Sequence, residues 1–546
     1  MVIMDKRLVL AFVFIGIIIL LTPKYQEWLL GKREVPRPEK KAPSPPSPSP
    51  LAEKENIPKK ESLTSSVPSQ EGEQKVIPER EVLVENEVFI SRWTTRGGVL
   101  KSWVLKKYRD GLLGTPVELV AAGGEGGGVT VGGQDLSQLP FEPSQEAISV
   151  KGSETATLTW VGRWKNGIVE KRVTILGDRY DLKIDIRLSR ELSDQKCGLE
   201  WQGGIGRTER HLGDELSHTK VITFMGGEVE LWDVSEAKGT TSRPSGEGGW
   251  IGIRNKYFLV SFIPEDEGQY GMKISGEQIQ EGQKRFDFGL MAESRRGGWI
   301  GSLYGGPISY SIFKDDHPEL QRAMTWGWEW ARWLMEPIGI GILRIFLTIH
   351  KLVPNYGLVI ILFSVLVKIT LNPLTHKSYE ATARMQEIQP QMAALREKYA
   401  NDQQRLNQEV MKLYKEQGVN PLGGCLPVVF QMPILFALFN VFQNAIELRQ
   451  APFMGWMTDL SQPDQLSVGG MQVHVLPILM ALTMFFQQKM TVKDPKQMMM
   501  VYLMPLMMIF FFWSMSSGLV LYWTLFNLLS WAQQVAIQEV QKTRKG

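Results

Sequence analysis

Carboxylates are missing from all five long apolar segments beyond residue 354, and other reactive groups are scarce throughout the chain. The 546 residues include two cysteines, Cys197 and Cys425, with no CxxC pair and no Cys/His spacing of the kind that holds zinc. Six histidines are spread along the sequence. The one close pair, His211 and His218, has no ligand motif around it, and surface positions are expected for both. There is no Gly-rich phosphate loop and no nucleophile–base arrangement, so neither covalent catalysis nor a metal or other cofactor is expected. A net charge of +3, from 61 basic and 58 acidic side chains, is too small to indicate nucleic acid. The missing Asp and Glu also exclude the buried carboxylate relay of a proton-coupled transporter.

The chain is rich in apolar length at its two ends and in alternation between them. Residues 8–21 ("LVLAFVFIGIIILL") follow Lys6 and Arg7, and no small-x-small cleavage site comes after them. An uncleaved membrane anchor over 1–24 is expected. Residues 25–80 contain "KKAPSPPSPSP" and read as a disordered, Pro-rich tether. Over 81–320, "ETATLTWVG", "IVEKRVTIL" and "YDLKIDIRL" alternate apolar and polar residues between Gly-rich turns, the pattern of an all-β sandwich. Residues 326–352 place Trp326, Trp330 and Trp333 at i, i+4 and i+7, which predicts an amphipathic helix lying along a membrane surface. Arg344 in its middle argues against a crossing.

Five apolar segments follow, at 355–375, 421–446, 475–490, 498–515 and 519–537. With the anchor they make six spans of a polytopic helical core. Between the first two, Met385, Ile388, Met392, Leu395 and Tyr399, then Leu406, Val410 and Leu413, recur at 3-4 spacing. This predicts a coiled-coil hairpin over 376–420, its first arm kinked at Pro390. Lys and Arg number seven in 376–420, one in the loop 447–474 and three in the tail 538–546. The hairpin, the short loop 491–497 and both termini are therefore expected in the cytoplasm, and the β domain on the far side.

One lysine, Lys368, stands among Val, Leu and Ile in "YGLVIILFSVLVKITLNPLT", with Ser364 and Asn372 one turn to either side on the same face. A charge there costs ~2.5–3.5 kcal/mol on insertion scales. It either snorkels to headgroups or faces a hydrated groove. Polar residues in the other spans favour the groove: Gln431, Asn440, Gln443 and Asn444, then Gln487 and Gln488, then Trp523, Asn527, Ser530 and Gln534. A polypeptide entering the bilayer fits such a groove. A small-solute transporter or channel is the alternative, for which no inverted repeat is visible. A membrane-anchored, sugar-processing β domain is a third reading, which would need convergent acid and base residues.

"NPLT" (372–375), "RMQEIQPQMAALREKY" (384–399), "VNPLGGCLPVVFQMPILFALF" (419–439) and "GLVLYWTLFNLLSWAQQ" (518–534) resemble the bacterial insertases of the YidC/Oxa/Alb family, Gram-negative type. The order of parts is similar as well. The resemblance implies a five-helix insertase core in the inner membrane and a periplasmic β-supersandwich over 81–320, similar to galactose mutarotases but without their activity. It implies insertion and folding of nascent membrane proteins, alone or with the Sec translocon, and ribosome contact through the cytoplasmic loops and basic tail. By position, Lys368 matches the family's groove arginine, Ser364 the polar residue one turn before it, and Tyr522 a substrate-contacting aromatic. Gln431 lies on the groove side of the third span. Asn372, Asn440 and Asn527 complete the candidate groove. Lysine in place of arginine keeps the charge but loses the bidentate fork. The β domain, on a flexible tether and without a recognisable site, is expected to be largely dispensable for insertion.

Overall fold

The computed structural model describes residues 79–546 except 238, 244–248, 266–267, 280–283, 293–296, 328, 420–425, 493–497 and 546. The expected anchor, the tether as far as residue 78, and Cys425 lie outside the described residues.

Residues 81–307 form two facing sheets. One has eleven strands and runs from Gly239–Arg243 at one edge, through Cys197–Gln202, Glu125–Val131 and Val99–Arg109, to Ala147–Ser149 at the other. The second has nine strands, from Glu228–Trp232 to Phe141–Pro143. Pairing is antiparallel except where Glu81–Glu85 meets Ala147–Ser149. Alternation in sequence becomes alternation in burial. In Gly167–Leu176 the residues Val169, Lys171, Val173 and Ile175 point inward, and their neighbours are partly or fully exposed.

The interior is built on tryptophan: Trp93, Trp103, Trp160, Trp201 and Trp250 are all buried. Lys171 is buried among them, and its Nζ donates to the carbonyls of Gly98 (2.8 Å) and Gly127 (2.6 Å) on the facing sheet. Burial pushes this amine down to about 7. The two carbonyls accept two of its protons, so it straps one sheet to the other.

Two short helices, α1 (Leu212–His218) and α2 (Tyr310–Asp316), belong to this part of the chain. The helical part follows as α3 (Arg332–Leu352), α4 (Tyr356–Glu387), α5 (Gln389–Lys398), α6 (Gln403–Glu416), α7 (Leu426–Asn444), α8 (Val475–Thr491), α9 (Met498–Phe512) and α10 (Ser517–Lys545). Among the described residues α3 and α4 are long and apolar enough to cross a membrane. Helix α4 starts at Asn355, whose side chain accepts from the Leu358 amide. It then runs 32 residues without a break, ~48 Å at 1.5 Å per residue. That exceeds a ~30 Å hydrocarbon core, so one helix carries both an apolar segment and the first part of the expected hairpin.

Three expectations change in detail. Pro390 does not kink a continuous arm. The helix ends at Ile388, and Pro390 sits in the first turn of α5, where its missing N–H costs nothing. The hairpin seam is Ile388, Met392, Leu413 and Val419, with Met385, Leu395, Val410 and Tyr414 packed against it. Tyr399 and Leu406 fall at its polar tip instead, where Asp402 caps α6.

The tryptophans at the start of α3 do not share one helical face, because the helix begins only at Arg332. Trp326 lies before it and is buried against Gly339, where a Cβ would come within 2.4 Å of the indole. Trp330 and Trp333 are 76% and 75% exposed.

Candidate functional site in the helical core

Helix α4 sets Ser364, Lys368 and Asn372 one turn apart, and α10 lies alongside. Lys368 Nζ donates to Ser530 Oγ at 2.7 Å and sits 4.9 Å from the Phe526 ring centroid. Lys368 is 8% exposed and Ser530 2%. The cation is thus held by a hydroxyl and a ring face, both from α10, in helices whose apolar segments supply no carboxylate. One turn further on, Gln533 Nε2 donates to Asn372 Oδ1 at 2.5 Å and lies 3.5 Å from Thr375 Oγ1. The Tyr379 hydroxyl also donates to Ser530 O at 3.4 Å, so three polar ties join α4 to α10. Ser364, though buried, spends its hydroxyl on its own helix, donating to the Ile360 carbonyl at 2.7 Å.

Above the lysine the core is aromatic. Phe442, Phe346, Phe363, Tyr522 and Phe526 form a ladder with successive centroids 5.9, 5.1, 6.1 and 6.0 Å apart. It passes through α7, α3, α4 and α10 and ends at Lys368. Tyr522 is fully buried in the ladder. Gln431 is the polar side chain beside its hydroxyl, without hydrogen-bond geometry between them. Asn527 is buried and its Nδ2 makes no hydrogen bond. Asn440 makes its contacts elsewhere: its Nδ2 donates to Phe436 O at 2.8 Å and its amide packs at Gly327, before α3. The structure thus ties Lys368 and Asn372 to one helix, sets Tyr522 and Gln431 side by side, and leaves Asn440 at the far end of α7.

A second buried polar site joins the β domain to the helices. Arg449, just past α7, donates from Nε to Glu209 Oε1 at 2.7 Å and from Nη2 to Thr208 O at 3.0 Å. Its guanidinium lies 5.3 Å from the Phe258 ring centroid. Nearby, Ser309 Oγ donates to Glu447 Oε1 at 3.1 Å, and Arg344 of α3 donates to the Tyr310 hydroxyl of α2. The β domain is therefore seated on the helices through polar contacts.

Two family descriptions match this division. Residues 81–340 match the YidC periplasmic domain and residues 348–545 match the 60Kd inner membrane protein. The membrane protein insertase YidC of Chlorobium luteolum is 36% identical over 84% of this chain and 82% of its own length. That of Chlorobaculum tepidum is 33% identical over 97% and 94%.

The chain belongs to the YidC membrane protein insertase family.

A solved structure described as an active YidC insertase with its first transmembrane domain resolved covers 84% of this chain and 93% of its own, at 18% identity and a TM-score of 0.36. At that score the superposition places no residue. As a YidC family member the chain is an inner-membrane protein with a periplasmic, sandwich-like β domain and a helical core, and its family is one of insertases rather than of enzymes.

Within this YidC family member, sequence reasoning singled out Lys368 but not its partner. Ser530 was visible in the polar stripe of the last span, and only helix packing shows that it takes the ammonium. Arg449 was also visible as the lone basic residue of its loop, yet nothing local pointed to Glu209.

Proposed function

We propose that this insertase receives the hydrophilic segment of a nascent membrane protein at the face of α4 and α10 marked by Lys368, Asn372, Ser530 and Gln533. The observation that carries the reading is the Lys368–Ser530 contact at 2.7 Å. A neutral hydroxyl holds the cation in place without neutralising it. The charge stays available to an acidic segment arriving from the cytoplasm, whereas a carboxylate partner would cancel it. Water entering between α4 and α10 converts this closed contact into a groove. The substrate's apolar segment leaves along the lipid side, driven by its own burial at about 25 cal/mol per Å².

In this reading α3 lies along the periplasmic surface, supported by exposed Trp330 and Trp333 and by the bond from Arg344 to Tyr310. The α5–α6 hairpin and both termini are cytoplasmic, supported by the lysine and arginine counts. There the hairpin and basic tail meet the ribosome, and the helical core works alone or beside the Sec translocon.

Insertion of single-span substrates into proteoliposomes tests the reading. Lys368→Arg retains insertion. Lys368→Ala weakens substrates with acidic translocated segments more than neutral ones, and Lys368→Glu is worst for the acidic set. A unit-charge attraction at 4 Å is ~1 kcal/mol in water and ~4 kcal/mol at an effective dielectric of 20, enough to hold a segment briefly without trapping it. Equal insertion of acidic and neutral substrates by Lys368→Ala would defeat it. Solute flux through the reconstituted protein without any nascent chain would favour a transporter.

A further inference from the structure

The turn between Val99–Arg109 and Pro116–Glu118 reads "DGLLGT" (110–115). It presents two adjacent leucines to solvent, Leu112 at 52% and Leu113 at 71% exposure. An isolated exposed leucine is ordinary, but two together at the tip of a built turn are not. The turn is built firmly: Asp110 Oδ1 accepts from the amides of Leu112 and Leu113, each at 2.6 Å. Both side chains are thereby held outward.

The position of the turn identifies what covers it. Arg109 O accepts from Gln450 Nε2 at 3.0 Å, and the Gly111 amide donates to the same Thr208 carbonyl that Arg449 grips. Three residues after Gln450, Phe453 packs on Gly357 in the first turn of α4, where a Cβ would lie 2.0 Å from its ring. Asn355, the cap of that helix, donates to Phe453 O at 3.5 Å. Three residues reach no more than ~11 Å, so the turn stands close to the level at which α4 enters the bilayer. Leu352 and Met454, also exposed, flank the same level. Two exposed cations, Lys107 and Arg109, sit just behind the leucines, where anionic headgroups would lie.

We propose that Leu112 and Leu113 insert into the periplasmic leaflet and form a lipid-binding foot of the β domain. With the Arg449–Glu209 junction beside it, the foot fixes the height of the domain above the membrane. The inference rests on membrane residence, not on the groove described above, so the two stand or fall separately.

The test uses the full chain in vesicles of phosphatidylethanolamine and phosphatidylglycerol. An environment-sensitive fluorophore is placed at Leu113→Cys in a Cys425→Ser background, with the buried Cys197 retained. The reference position is Gln134→Cys. Its turn follows Glu125–Val131, which runs antiparallel to Val99–Arg109 with Leu100 opposite Gly126, so it lies at the other end of the domain. The Leu113 label is expected to emit further to the blue than the Gln134 label and to be quenched several-fold more strongly by spin-labelled phospholipid. Equal emission and quenching at the two positions would overturn the proposal. So would a blue shift without lipid quenching, which would mean that a protein surface covers the turn.

Discussion

Arg449 and Glu209 are 240 residues apart in sequence and 2.7 Å apart in the fold, with side chains only 2% and 4% exposed. The pair lies where the loop after α7 meets the β domain. Removing either partner strands a buried charge. Arg449→Ala or Glu209→Ala is expected to cost about 3–5 kcal/mol. Arg449→Leu combined with Glu209→Leu should cost less than either alanine variant, because no charge is left behind. Thermal unfolding of the purified full chain, followed by protease resistance of the β domain, measures both. Deleting the β domain outright should destabilise the core for the same reason, since Arg449 loses Glu209 and Thr208 together.

Ser530 holds the Lys368 ammonium, so Ser530→Ala should reveal how much the core depends on that bond. A hydrogen bond to a charged group is worth about 1.5–3 kcal/mol. A drop of that size in unfolding free energy is expected, and Ser530→Thr should recover most of it. A Ser530→Ala protein as stable as the parent would mean that water already satisfies the lysine.

Tyr522 is buried in the aromatic ladder, and its hydroxyl makes no hydrogen bond. Tyr522→Phe should therefore leave stability unchanged or raise it by up to about 1–3 kcal/mol, because an unpartnered buried hydroxyl is removed. Tyr522→Ala opens a cavity beside Phe363 and Phe526 and should cost about 3–5 kcal/mol. Crosslinks from position 522 to a nascent chain should appear only when α4 and α10 part. Crosslinks from the exposed Phe430 should not require that step.

His317 lies between two carboxylates, with Nδ1 3.1 Å from Glu319 Oε1 and Nε2 3.4 Å from Asp181 Oδ1. Burial alone would lower its pKa; the two carboxylates outweigh it and raise the imidazole from 6.5 to about 9. Its folded value lies above its unfolded one. The stabilisation is therefore fully present below about pH 6.5 and is lost as pH rises through about 9. The shift corresponds to roughly 3 kcal/mol at most. Thermal midpoints between about pH 6 and 10 should fall for the parent and flatten for His317→Gln.

The sequence by itself determined the kinds of element and their order. Helical and strand periodicity are local properties of the backbone, so the alternation in 167–176 and the apolar run of 355–375 could be read without knowing what lay opposite. The absence of Asp and Glu from the last five apolar segments was equally legible, and it showed that Lys368 has no carboxylate partner among them.

Tertiary structure alone decided the partners. Ser530 is 162 residues from Lys368 and was one of several polar residues in its stripe. Which of them takes the ammonium depends on how α10 is rotated against α4. Trp326 carried the same signal as Trp330 and Trp333, and only the late start of α3 and the space above Gly339 turned it inward. The seating of the β domain through Arg449 and Glu209 was invisible for the same physical reason. Periodicity fixes which face of an element is apolar, whereas docking of distant segments fixes which polar atom on that face meets another.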